Sequence, residues 1–213
     1  MSEDEPFAEL ALIEQLASQL DRDAAALPGA KLARYLREVA TWNRKINLTA
    51  AREPRALCEV LLADALVLAD ATASLGGARI IDVGTGAGAP IVPLLLVRPD
   101  LSALCVESLR KRATFLRTLT AKLGLLDRMR VREARIDLER PQQVESFDLA
   151  CSRATFAPEV WLAAGLALAP RALVMTASQP PPQAPANGAL ESTVAYRLPF
   201  SGASRRISIY RRG

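Results

Sequence analysis

Apolar residues recur at helical spacing through the first third of the chain, and then the rhythm changes. Leu10, Ile13, Leu16 and Leu20 mark one amphipathic stretch and Leu32, Tyr35, Leu36 and Val39 a second, with Leu27-Pro28-Gly29 as the turn between them. A third helix is expected over residues 54–70. Pro54 suits a first helical turn, and the long apolar run from Leu61 to Ala69 calls for burial. From Arg79 onward short apolar runs alternate with longer amphipathic ones, the pattern of a parallel sheet flanked by helices. Strands are predicted at residues 79–83, 103–106, 129–132, 147–152 and 172–176. The segment SQPPPQAPAN, residues 178–187, is too rich in proline for either element and reads as an exposed loop. After it, residues 192–198 and 206–210 alternate well enough for two antiparallel strands at the end of the sheet, joined through PFSGAS.

With 213 residues, the chain is long enough to bury one substantial core. The change of rhythm divides it into a helical extension over residues 1–75 and an α/β core over residues 76–213. No run of about eighteen apolar residues passes without a charge, so a spanning helix is not expected. The opening MSEDEPF is acidic where a secretory signal would be basic, which points to a cytoplasmic protein. The chain contains no histidine. A Ser-His-Asp hydrolase and a histidine-bearing zinc site are therefore excluded. Cys58, Cys105 and Cys151 are far apart, without metal-ligand spacing, and are expected to be reduced core thiols with no metal. The net charge of +4 decides little alone, but arginines gather at residues 110–117, 128–135 and 205–212. Such clusters fit either a polyanionic partner or ordinary solvated faces.

The candidate chemistry sits in RIIDVGTGAGAP, residues 79–90, an apolar strand that ends in an acid and breaks into three alternating glycines. In a doubly wound fold, ligands lie beyond the carboxyl ends of the strands, where the chain turns into the next helix. Gly84, Gly86 and Gly88 occupy that turn and let a ligand approach main-chain N–H groups. Two ligand classes could use it. Gly84, Gly86 and Ala89 match the dinucleotide pattern, with Glu107 about twenty residues on where a ribose-binding acid belongs. Asp82 favours the other class, because an acid at the strand tip opposes a pyrophosphate but suits an ammonium or sulfonium group, and S-adenosylmethionine carries both. A closing antiparallel strand pair, with no residues left for a substrate domain, favours a class I methyltransferase. The expected fold is thus Rossmann-like: a doubly wound, mainly parallel sheet with an antiparallel C-terminal strand, preceded by the helical extension.

WNRKINLTAAREP, residues 42–54, followed by IDVGTGAGAPIVPLLLVRPDL and VESLRKRATFLR, resembles the glucose-inhibited division protein B family of bacterial small-subunit ribosomal RNA guanine-N7 methyltransferases. Ser152-Arg153-Ala154 and the closing ISIYRR fit the same family. The resemblance implies that Gly84 and Ala89 line the methionine and ribose part of an S-adenosylmethionine site, with Gly86 and Gly88 shaping the loop. By the same resemblance Glu107 holds the ribose, Ile136 and Asp137 flank the adenine, and Arg153 sits at the edge between cofactor and substrate as the candidate catalytic residue. Asn47 and Thr49 belong to the family's entry segment, where helix capping is the alternative role. Three departures stand out. Val60-Leu61 replaces an arginine-histidine pair, Ala89-Pro90-Ile91 lacks one loop glycine, and Thr176-Ala177-Ser178 replaces a lysine-glycine.

A guanine N7 has an in-plane lone pair, so the missing histidine is no obstacle: positioning suffices. A cytosine-C5 mechanism would need a cysteine nucleophile, and LACSRA around Cys151 lacks the motif for one. Asp148, near the start of the fourth strand, reads as structural rather than as a base. The leading expectation is an S-adenosylmethionine-dependent enzyme that modifies ribosomal RNA of the small subunit, acting as a monomer. The alternatives are a divergent methyltransferase on another RNA or a small molecule, a non-catalytic nucleoside-binding module, and a nicotinamide oxidoreductase.

Overall fold

The computed structural model describes residues 6–141 and 145–213. The acidic opening at residues 1–5, on which the cytoplasmic expectation rests, lies outside the described residues. Helices α1 (Pro6–Gln19) and α2 (Gly29–Ile46) bury Ile13, Leu16, Leu32, Tyr35, Leu36 and Val39, since spacings of three and four put these residues on one face of each helix. Asn47 ends α2 with φ 49°, a left-handed conformation that asparagine tolerates better than most residues. The helix expected over residues 54–70 is broken. It runs as α3 (Pro54–Cys58), a π-helical turn at Glu59–Ala63, and α4 (Asp64–Ala71). Because Leu61, Leu62, Ala63, Ala65 and Leu66 are all buried, the change of helical register leaves no gap in the apolar pattern.

Five strands are parallel: β1 (Arg79–Val83), β2 (Ser102–Glu107), β3 (Met129–Glu133), β4 (Leu149–Ser152) and β5 (Arg171–Thr176). β6 (Gly188–Arg197) and β7 (Ser204–Arg212) are antiparallel additions, and the order across the sheet is β3-β2-β1-β4-β5-β7-β6. This is the doubly wound, Rossmann-like class I methyltransferase sheet expected from the sequence. The chain moves outward from β1 to β3 and resumes at β4 on the other side of β1, so the topological switch point, where such sheets bind ligands, lies between β1 and β4.

The starts of β2, β4, β5, β6 and β7 differ from expectation by one to four residues. β4 begins at Leu149, and Phe147 just before it packs into the smaller apolar layer with the Arg79 guanidinium 5.5 Å from its ring centre. β6 begins four residues early and carries a bulge between Leu190 and Ser192. The proline-rich segment is anchored rather than free: Pro182 is buried and its carbonyl accepts a hydrogen bond from the Tyr210 hydroxyl at 2.5 Å.

The sheet buries two apolar layers. Ile80, Cys105 and Cys151 face a large layer shared with the helical first third, α5 (Ile91–Val97) and α6 (Arg110–Lys122). Ile81, Val83, Leu104 and Val106 face a smaller layer closed by α7 (Pro158–Leu168). All three cysteines are free and buried. Among the described residues no helix is long and apolar enough to cross a membrane.

Candidate active site

Beyond Val83 the chain folds back over the end of β2, and hydrogen bonds fix the glycine loop from several sides. The Gly84 N–H donates to the Val106 carbonyl at 2.8 Å, and the Gly88 N–H donates to the Thr85 carbonyl at 2.9 Å. Tyr35, reaching in from α2, donates its hydroxyl to the Ala87 carbonyl at 3.0 Å. Its phenol is fully buried there, and burial pushes its ionisation well above the ordinary range.

The three glycines serve different ends. A Cβ on Gly88, at φ 91°, would stand 2.7 Å from Val92 Cγ2, so this glycine lets α5 start close against the loop. A Cβ on Gly84 would stand 2.5 Å from Thr155 Oγ1. Gly86 is different: at φ 57°, its Cβ would meet nothing closer than 3.8 Å. The left-handed backbone there favours glycine, and the space in front of it is open.

Glu107 closes β2 with its side chain 2.9 Å from two main-chain donors: Oε2 accepts from Gly86 N–H and Oε1 from Leu109 N–H. It is buried and forms no ion pair with Arg110 or Lys111 among the described residues. Each oxygen keeps a lone pair, so the carboxylate can take hydroxyl donors while holding the loop.

Asp82 lies one strand position inside, between Cys105 on β2 and Cys151 on β4. It is 1 % exposed, and its Oδ2 has no hydrogen-bond partner. Desolvation raises its carboxyl to about 7, with Thr85 and Cys151 only partly offsetting the burial. Its carboxylate thus belongs to the floor beneath the loop rather than to an open wall.

Ile136 and Asp137 follow β3 and line a cavity of about 460 Å3 with Val106, Arg135, Phe147 and Leu168. The cavity reaches the end of β2 through Val106, next to Glu107, but Gly84, Gly86 and Gly88 do not line it. Asp137 is exposed, and its Oδ1 accepts from the Glu139 N–H at 3.0 Å. Ala89 is buried behind the loop in the larger apolar layer.

Arg153 follows β4 across the switch point. Its Nη1 donates to the Val60 carbonyl at 2.7 Å and to Asp64 Oδ2 at 3.1 Å. Thr155 reaches from the same turn to within 3.4 Å of the Gly84 carbonyl. Asp148, at the opposite end of β4, accepts from the Arg79 N–H at 2.7 Å and so has the structural role expected of it.

The entry segment is knitted around Asn43, a buried side chain that donates to the Ala51 carbonyl and accepts from the Thr49 N–H. Asn47 terminates α2, its side chain accepts from Arg52 and its carbonyl accepts from Arg112. The arginine clusters divide. Arg128 donates to the carbonyls of Leu95, Arg98 and Leu101, while Arg130 and Arg132 both pair with Glu145. Arg110 and Lys111 stay exposed beside Glu107 with no ion pair among the described residues.

Sequence reasoning did not single out Tyr35, Asp64, Thr155 or Tyr196 as site residues. Asp64 offered a signal, as an acid isolated within an apolar run. Tyr35 offered none, because an aromatic at an apolar helix position looks like core.

Comparison with known proteins identifies the family and the fold. Residues 29–171 match the family model GidB, described as rRNA small subunit methyltransferase G. Ribosomal RNA small subunit methyltransferase G of Anaeromyxobacter dehalogenans strain 2CP-C is 36% identical over 94% of each chain. Among solved structures, the O-methyltransferase from Bacillus cereus in complex with SAH aligns with a TM-score of 0.60 at 18% identity, over 84% of this chain and 91% of that one. TomG, an O-methyltransferase from Streptomyces achromogenes in complex with SAM, aligns with a TM-score of 0.57 at 16% identity, over 84% and 90%. At those identities the two structures speak for the fold, whereas the family model and the sequence relative speak for kinship. This chain belongs to the GidB family, the rRNA small subunit methyltransferase G proteins.

Proposed function

We propose that the protein transfers a methyl group from S-adenosylmethionine to N7 of a guanine in small-subunit ribosomal RNA. The observation that carries the reading is the coupling of Gly86 N–H to the buried Glu107 carboxylate at the carboxyl ends of β1 and β2, in a chain of this family. The residues present fit the cofactor. Open space stands before Gly86, Glu107 retains lone pairs for a ribose diol, and Asp82 carries a buried oxygen with no partner. When bound, S-adenosylmethionine supplies an electrophilic methyl group on a sulfonium.

The protein's own part is positional. Glu107 would hold the ribose hydroxyls, Ile136 and Asp137 would flank the adenine, and Gly84 and Ala89 would border the methionine and ribose end, with Gly86 and Gly88 shaping the loop. Arg153 would steady the guanine or a neighbouring phosphate as the residue that touches substrate. No general base is required, because N7 attacks through an existing lone pair, and holding it in line is the main contribution. The same reading treats residues 1–75 as a helical extension on the core of residues 76–213, and the protein as a cytoplasmic monomer without a metal.

The test is incorporation of labelled methyl into small-subunit particles, and into RNA extracted from them, taken from a strain lacking the gene. N7-methylguanosine at one nucleotide, lost with Glu107→Ala, is expected. Unlabelled RNA in both forms, with a folded enzyme that binds the donor, would overturn the substrate assignment.

A further inference from the structure

Arg153 is held by one nitrogen only. Nη1 carries both contacts, to the Val60 carbonyl and to Asp64 Oδ2, and among the described residues Nε and Nη2 donate to nothing. The side chain is 21 % exposed and Asp64 7 %, so the guanidinium is anchored on its inner side and keeps donors free for a ligand oxygen. Two parallel N–H donors are the geometry by which arginine takes phosphate or other oxygen acceptors.

The anchor is built from parts far apart in sequence. In a π-helical turn hydrogen bonds run to the fifth residue rather than the fourth, and in the turn Glu59–Ala63 the Val60 carbonyl meets Arg153. Asp64 follows immediately, and its second oxygen accepts from the Tyr196 hydroxyl on β6 at 2.6 Å. The same turn is gripped again at its start: Glu59 Oε1 accepts from the main-chain N–H groups of Phe200 and Ser201, and Arg55 stacks over the Phe200 ring at 3.9 Å. Val60 has no polar side chain, yet it contributes through its backbone.

We propose that Asp64, itself oriented by Tyr196, is a positioning residue that fixes the Arg153 guanidinium so that its free donors face the methyl acceptor. The inference rests on the reading of Arg153 as the residue that touches RNA. Asp64 holds and directs the arginine but contacts neither cofactor nor substrate. A carboxylate with one oxygen on Tyr196 and the other on Arg153 cannot rotate without losing both bonds, so the π turn, β6 and the turn after β4 share one polar joint.

Two measurements separate this from a purely structural staple. The first uses the free protein: nitrogen-15 NMR of the Arg153 guanidinium should show hindered rotation in wild type and averaged signals in Asp64→Asn, with Tyr196→Phe intermediate. The second is a kinetic cycle on small-subunit particles. Asp64→Asn should lower kcat by roughly tenfold or more, the scale of a misplaced positioning group, with donor affinity and thermal stability changed far less. In an Arg153→Lys background the same change should have almost no further effect. Unhindered rotation in wild type, or Asp64→Asn and Arg153→Lys losses that multiply independently, would overturn the proposal. If the guanidinium is held as expected and wild type methylates no small-subunit RNA, the assignment of substrate fails while the anchor stands.

Discussion

Replacing Asp82 with asparagine should change how stability depends on pH, in a direction opposite to that of most carboxylates. Burial lifts this carboxyl from its ordinary 3.8 to about 7. At about 1.36 kcal/mol for each pKa unit, the ionised side chain costs the fold on the order of 4 kcal/mol. A raised folded value means that at low pH both states are protonated and nothing is lost. As pH rises, the unfolded chain ionises first, and folding is penalised until the folded group also ionises. The destabilisation should therefore grow between about pH 4 and about pH 7 and then level off. The amide that replaces the carboxyl cannot ionise, so urea midpoints of wild type and Asp82→Asn should lie close at the acidic end and separate toward neutrality, with the variant the more stable. Other carboxylates cancel in the difference, including Glu145, which its arginine neighbours hold below the usual range. Near neutral pH, binding of the sulfonium donor should also release a proton from wild type but not from the variant, read by calorimetry in buffers of different ionisation enthalpy. A constant stability difference across the range would refute the claim that Asp82 is buried as an unpaired acid.

The remaining expectations concern the loop, the ribose acid and the thiols. Gly86→Ala should cost only about 1 kcal/mol of stability, for its left-handed backbone, yet weaken donor binding sharply if a ligand fills the open space before it. Gly88→Ala should cost about 3 kcal/mol through its clash with Val92. Equal effects of the two on unfolding would contradict the packing described. Glu107→Gln should lower donor affinity about tenfold or more, since charge-assisted hydrogen bonds are the stronger kind, and unchanged calorimetric affinity would remove Glu107 from the site. Burial pushes the Cys58 thiol up to about 12 and those of Cys105 and Cys151 well above their ordinary range. The native protein should therefore resist thiol reagents until denaturant is added, and fast labelling of native Cys151 would reopen a cysteine mechanism.

The sheet was legible because its signal is local: the run RIIDV between Ala78 and Gly84 coincides with β1, and β5 was misplaced by one residue only. What escaped has a common physical cause. The π turn at Glu59–Ala63 shifts helical register inside a stretch whose residues are nearly all buried, Glu59 and Asp64 included, so no alternation of exposed and buried positions reports it. Phe147 lies just outside β4 yet is buried in the smaller apolar layer, so its apolar character reads like that of a strand residue. The glycine loop and Glu107 stood out as candidate site residues because their chemistry is unusual for their positions, whereas Arg153 was reached only through the family resemblance. Tyr35, Thr155 and Tyr196 did not, since each is tied to the site by a partner more than fifty residues away. The arginine clusters looked alike in sequence, and their division into carbonyl caps, ion pairs and exposed cations depends on tertiary neighbours.

The placing of β7 between β5 and β6 has a consequence for how the protein is made. β6 is synthesised before β7 but joins the sheet only through it, so a nascent chain that has emerged as far as β6 leaves the β5 edge bare. At that stage the Tyr196 hydroxyl also lacks the ordered strand that carries it to Asp64. Completion of the polar joint around Arg153 is thereby deferred until nearly all of the described chain has left the ribosome.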